Sequence, residues 1–105
     1  MQFIETGVFT RQVTALLTDE EYGQLQVALS AHPDAGDIIP GSGGLRKIRW
    51  AISGRGKRGG VRAIYYWRVR QDQILMLFMY SKTEKDDLTT QQLQVLREIV
   101  EKEFK

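Results

Sequence analysis

The sequence predicts an α+β fold: a small antiparallel sheet, made of a short N-terminal strand plus a three-stranded meander, with two N-terminal helices packed on one face and a C-terminal helix. Three observations predict it. Apolar residues recur at helical spacing in two stretches near the N-terminus and one at the C-terminus, two of them behind capping residues. Between them lie three runs rich in β-branched, aromatic and other apolar residues, set off by glycine-rich or polar turns. The order of strand, two helices, three strands and helix keeps the helices apart from the meander, as α+β chains do. With 105 residues and no long spacer, the chain is expected to form a single domain over 1–105.

Taken in order, residues 2–5 (QFIE) read as a short strand, and Val8, Phe9, Val13 and Leu16 or Leu17 then follow helical spacing. Thr18-Asp19-Glu20-Glu21 is a capping box: the Thr18 hydroxyl takes the third backbone amide, and Glu21 reaches back. The helix it opens carries Tyr22, Leu25, Ala28 and Leu29 on one side and ends before Pro33, which pushes its predecessor out of the helical region. Residues 33–44 are loop-like. Strands are expected at 45–52, 61–70 and 73–80, the last apolar on both faces as a central strand would be. Thr89 and Gln92 cap a final helix reaching about Lys102, striped by Leu93, Leu96, Val100 and Phe104.

Composition narrows the chemistry. The chain has no cysteine, so disulfides, thiolate metal sites and cysteine nucleophiles are excluded, and a reducing cytoplasmic setting is the expected one. The N-terminus lacks a basic segment followed by an apolar stretch, and no apolar run approaches the roughly 20 residues that cross a bilayer, so no membrane partner is expected. Neither a histidine pair, a carboxylate dyad nor a metal-spaced cluster is present, and no metal or cofactor is expected.

Charge is segregated. The formal net charge is only +2, yet residues 38–71 hold nine basic side chains and no acid, while the flanks carry six basic and thirteen acidic ones. An acid-free basic segment of this kind is the footprint of a polyanion partner such as nucleic acid.

If residues 53–60 form a symmetric eight-residue turn, Ile48 faces Tyr65, Trp50 faces Ala63 and Ile52 faces Val61 on an apolar side ready for helices. On the other side Lys47 faces Tyr66, Arg49 faces Ile64 and Ala51 faces Arg62. Lys47, Arg49 and Arg62 thus converge on one face with Tyr66, an arrangement that is costly until an anion arrives. A phosphodiester is such an anion. Cleaving RNA without metal needs a base for the 2′-hydroxyl, cations for the charge developing on phosphorus and an acid for the leaving oxygen. Lysine can serve as base or acid when its neighbours lower its pKa, and arginine grips phosphate in a bidentate fork. Tyr66 or Tyr80 can stack a base. The same ingredients also occur on sheets that bind RNA without cutting it.

The stretches GDIIPGSGGLRKIRW, GKRGGVRAIYYW and MYSKTEKDDLT, in that order and over nearly the whole chain, resemble the HigB-type branch of the RelE-like toxins. The resemblance implies a RelE-like fold and the toxin of a type II toxin–antitoxin pair. Such a toxin cuts mRNA on the ribosome and is neutralised by a cognate antitoxin, often a helix-turn-helix DNA-binding protein. In RelE toxins two lysines before the basic loop and one arginine after it serve the reaction, and these correspond to Lys47, Arg49 and Arg62, one lysine having become arginine. A further arginine and tyrosine of the family fall at Thr83 and Thr89, leaving Lys82, Lys85 and Tyr80 as substitutes and Lys47 as general base by elimination. Arg46 is expected to help grip phosphate, and Arg55, Lys57 and Arg58 in the glycine-rich tip to touch ribosomal RNA.

Plainer roles are expected elsewhere. His32, between a helix end and a proline, reads as capping or solvated; the glycine pairs 43–44 and 59–60 read as turns; Trp50 and Trp67 read as core. The last helix is either plain packing or a lid that meets the antitoxin. Two rival functions share the fold: a non-catalytic RNA- or ribosome-binding protein, suggested by Thr83 and Thr89, and a ParE-like gyrase inhibitor, against which the basic strand pair argues.

Overall fold

The computed structural model describes residues 1–51, 60–84 and 87–104. Its elements run β1 (Gln2–Glu5), α1 (Gly7–Leu16), α2 (Asp19–Ala31), β2 (Asp37–Ile38), β3 (Arg46–Trp50), β4 (Val61–Arg68), β5 (Gln73–Ser81) and α3 (Thr90–Glu103). The α+β architecture is the expected one, with helices on a small sheet. The sheet has five strands in the order β1-β5-β4-β3-β2.

Helix ends follow local chemistry. At α2 the Glu21 amide donates to Thr18 Oγ1 at 3.1 Å and the Thr18 amide to Glu21 Oε1 at 2.7 Å, closing the capping box. Thr89 and Gln92 repeat it at α3, at 3.1 and 2.9 Å. Thr6 caps α1 by accepting from the Phe9 amide at 3.0 Å and donating to the Leu77 carbonyl, which ties the helix start to β5.

The sheet separates two cores. Phe9, Val13, Leu25 and Leu29 of α1 and α2 pack on one face against Ile48, Ala63, Tyr65 and Met76. Leu96 and Val100 of α3 join Leu45, Ile64, Leu75, Leu77 and Tyr80 in the second core. Trp50 and Trp67 pack partly buried against the α1–α2 core, as expected.

Four features differ from the sequence reading. First, β1 runs parallel to β5, with Gln2 opposite Gln73, so the sheet is mixed at this edge; the partner strands are remote in sequence, and no turn between them announces a direction. Second, β2 is an added two-residue strand, with Asp37 opposite Lys47. Third, β4 stops at Arg68 rather than residue 70, because a turn from Val69 to Asp72 begins there, with Asp72 at φ 54°.

Fourth, the β3–β4 register is displaced by two residues: Ile48 stands opposite Ala63, Arg49 opposite Arg62 and Trp50 opposite Val61. Gly60 explains the shift. At φ +58° its α-carbon lies so close to the Trp50 carbonyl that a Cβ would fall 2.0 Å from the oxygen, so β4 enters the sheet directly beside Trp50. A two-residue displacement preserves faces, and every side chain stays on the side its parity assigns.

A β-bulge between Ile64 and Tyr65 leaves Leu77 of β5 unpaired in the ladder. It moves the end of β5 out of phase, so Met79 joins the α1–α2 core while Tyr80, opposite Arg62, joins the α3 side.

Candidate functional site

The α3 face of β3 and β4 floors a cavity of about 390 Å³. Lys47, Arg49, Ile64 and Tyr80 come from the sheet, Ile38, Ile39 and Pro40 form one wall, and Asp87, Leu88 and Leu93 close the other. The first wall is held in place from below. Tyr65 Oη accepts from the Gly36 amide and donates to the Pro33 carbonyl, both at 2.8 Å. A Cβ at Gly36 would lie 2.8 Å from the Tyr65 ring, so only glycine admits this contact. The second wall leads into α3 through its Thr89 cap.

Charge concentrates on the floor. Lys47 Nζ pairs with Asp87 Oδ1 at 2.6 Å, with the lysine side chain 22% exposed and the aspartate 69%. That hydrogen bond, helped by the charges of Lys47, Arg49 and Arg62, holds the Asp87 carboxyl below the usual carboxylate range. Arg62 is buried directly opposite exposed Arg49. Tyr80, beside Arg62, buries its hydroxyl with no hydrogen-bond partner among the described residues. Burial pushes this phenol above its ordinary value and Asp87 adds to the rise, while Arg62 and Arg49 oppose it.

The expected residues divide accordingly. Lys47, Arg49, Arg62 and Tyr80 are brought together. Tyr66 shares their face but not their cavity: the register sets Ile64, not Tyr66, opposite Lys47, and Tyr66 instead lines a depression with Arg68, Arg70 and Phe104. Arg46 is on the opposite face, with its guanidinium bonded to the carbonyls of Asp34 (3.2 Å) and Gly36 (2.8 Å), so its visible work is to anchor a loop. Lys82 is exposed beyond β5 and does not line the cavity. Arg55, Lys57, Arg58 and Lys85 lie outside the described residues. Thr83 bonds to Ser81, and Thr89 is consumed by its cap. His32 terminates α2 through its backbone amide, and Gly43 and Gly44 turn the chain at φ +76° and +102°.

Sequence reasoning missed Asp87 and the apolar walls. The Ile38-Ile39-Pro40 triplet was a visible apolar interruption in a polar loop; nothing in the sequence joined Asp87 to a lysine 40 positions away. Among the described residues there is no group of three metal-binding side chains, and no helix is long and apolar enough to cross a membrane.

Residues 8–105 match the family described as the RelE toxin of the RelE / RelB toxin-antitoxin system. The chain belongs to the RelE toxin family. The match is at the level of the family and does not distinguish its branches. Among solved structures, a mutant of the E. coli toxin RelE in the free state is similar at TM-score 0.58 and 14% identity, over 81% of this chain and 86% of that one. The intact E. coli RelBE toxin-antitoxin complex contains a chain similar at TM-score 0.58 and 14% identity, over 76% of this chain and 94% of that one. At this identity the likeness is one of fold, and the RelE fold is the one the sequence led us to expect.

Proposed function

We propose that this RelE-family chain is the toxin of a type II toxin–antitoxin pair and acts as an endoribonuclease on mRNA at the ribosome, stopping translation. The observation that carries the reading is the convergence of Lys47, Arg49 and Tyr80 at one cavity floor, with Arg62 paired across the strands to both Arg49 and Tyr80. Cations set opposite one another on paired strands repel, so the arrangement favours an anionic guest. Arg49 and Arg62 grip the phosphate oxygens, and their charge offsets what develops on phosphorus as the 2′-oxygen attacks. Tyr80 supplies a hydroxyl donor that no described residue uses. Lys47 moves the proton: as the free amine it takes the one released by the 2′-hydroxyl while the O2′–P bond forms, and it returns that proton to the 5′-oxygen as the P–O5′ bond breaks, giving a 2′,3′-cyclic phosphate. The apolar walls suit a base lifted out of a single strand. A cognate antitoxin, of the helix-turn-helix kind, restrains the toxin.

The test is RNA 3′-end mapping in a purified translation system with EDTA-treated protein, comparing wild type with Arg62→Ala, with and without ribosomes. Ribosome-dependent cuts that vanish in the variant are expected. Translation arrest with intact message would overturn the nuclease reading in favour of a ribosome-binding protein.

A further inference from the structure

An anion already sits on this floor. The Asp87 carboxylate meets Lys47 Nζ at 2.6 Å, at a cavity lined also by Arg49 and Tyr80. Among the described residues no second hydrogen bond holds the Asp87 side chain: it is 69% exposed, it precedes α3, and the α3 cap is made by Thr89 rather than by Asp87. An exposed aspartate just outside a helix has no structural need to reach across to β3. We propose that the Asp87 carboxylate is a built-in stand-in for the substrate phosphate: it occupies the seat offered by Lys47 in the unliganded protein, and a single-stranded RNA phosphodiester must displace it. The inference rests on the nuclease reading for the identity of the substrate, while the exchange itself is a matter of binding.

The physical case is one of competing anions. A carboxylate and a phosphate diester each carry one negative charge and accept the same N–H donors, so they cannot share Lys47 without repulsion. Tyr80 separates the two states. Its hydroxyl has no partner among the described residues while Asp87 holds the seat, which is what a donor reserved for a bulkier anion would show. Exchange also costs little in folding, since the Asp87 side chain is largely exposed and leaves towards solvent. The consequence is a site that tolerates its clustered cations when empty and discriminates against ligands too weakly held to evict the carboxylate.

The experiment measures fluorescence anisotropy of a labelled single-stranded oligonucleotide, 2′-deoxy throughout so that it cannot be cut by 2′-hydroxyl attack. The proteins compared are wild type, Asp87→Asn, Lys47→Ala, the Lys47→Ala/Asp87→Asn pair, and Glu98→Gln as a control for loss of a remote negative charge. Asp87→Asn should bind about tenfold tighter than wild type, Glu98→Gln less than twofold, and most of the gain should vanish in the Lys47→Ala background. Circular dichroism should show all five proteins folded alike. Equal or weaker binding by Asp87→Asn, or a gain no larger than that of Glu98→Gln, would overturn the proposal. Cleavage of a ribosome-bound message is followed in parallel. Tighter binding with cutting absent even in wild type would support the seat while sinking the nuclease reading. Unchanged binding with cutting lost only in Asp87→Asn would make Asp87 a participant in the chemistry and not a stand-in.

Discussion

Arg49 and Arg62 stand directly opposite each other on adjacent antiparallel strands, one exposed and the other buried. Like charges in this position weaken a sheet by roughly 0.2–1 kcal/mol relative to neutral pairs. Such a pair is a stability cost that an anion bound beside it would offset.

Arg49→Ala should therefore leave the free protein as stable as wild type or more stable by up to about 1 kcal/mol, while cutting of mRNA falls by about 100-fold. Urea denaturation and end mapping on the same preparations check both halves. A loss of more than about 1 kcal/mol of stability would show that Arg49 serves the fold and that the pairing is not in tension.

Tyr80 poses the same trade within the core. An unsatisfied buried hydroxyl costs about 1–3 kcal/mol, and the Tyr80 hydroxyl is one among the described residues. Tyr80→Phe should raise stability by about 1 kcal/mol and lower cleavage by about tenfold. It should also change the alkaline limb of the stability profile. Burial raises the Tyr80 phenol, so the folded protein keeps a proton that the unfolded chain releases. The resulting stability is complete below about pH 10, the ordinary tyrosine value, and is lost as pH rises beyond it. Tyr22 and Tyr65 are raised in the same sense, chiefly by burial. Wild type should lose stability above that pH and Tyr80→Phe should lose less, as read by urea midpoints in an alkaline series; identical slopes would contradict it.

Arg46 separates sequence reasoning from structure most cleanly. Its neighbours Lys47 and Arg49 belong to the cavity, but Arg46 shares a face with Ile48 and Trp50 and bonds two loop carbonyls. Arg46→Ala should cost about 1–2 kcal/mol of stability. The salt dependence of RNA binding should keep its wild-type slope, whereas loss of a phosphate contact would lower that slope by about one. A reduced slope would return Arg46 to the phosphate.

What could be read in advance was local or periodic. The boxes Thr18–Glu21 and Thr89–Gln92 are contacts three residues apart, and their residue types name the contact. Strand parity alone put Lys47, Arg49 and Arg62 on one face and Trp50 on the other, and a two-residue register displacement could not undo it. The rest depended on distance in sequence. The parallel pairing of β1 with β5 joins residues about 71 apart, and the Lys47–Asp87 pair spans 40. The bulge that delivers Tyr80 to Arg62 interrupts an apolar run in which neither phase could be preferred, because both faces of β5 are buried. Arg46 was legible by parity but was carried along with its basic neighbours.

Gly60 governs where β4 begins, and so which residue faces Arg49. Its φ of +58° is a left-handed conformation, and an added Cβ would meet the Trp50 carbonyl oxygen at 2.0 Å and the Ala51 α-carbon at 2.9 Å, both backbone atoms that cannot swing aside. Gly41 gives the control: it has φ +71° but nothing within 4 Å of the added atom, so only conformational strain applies there. Gly41→Ala should cost about 1 kcal/mol. Gly60→Ala should cost more, about 3 kcal/mol in all, because β3 and β4 must part. As the strands part, Val61 moves from Trp50 and Arg62 from Arg49, so cleavage in Gly60→Ala should fall further than its folded fraction. Urea denaturation of both variants beside end mapping decides it: equal losses at the two glycines would mean that the close approach at Trp50 relaxes freely and does not set the register of the cavity floor.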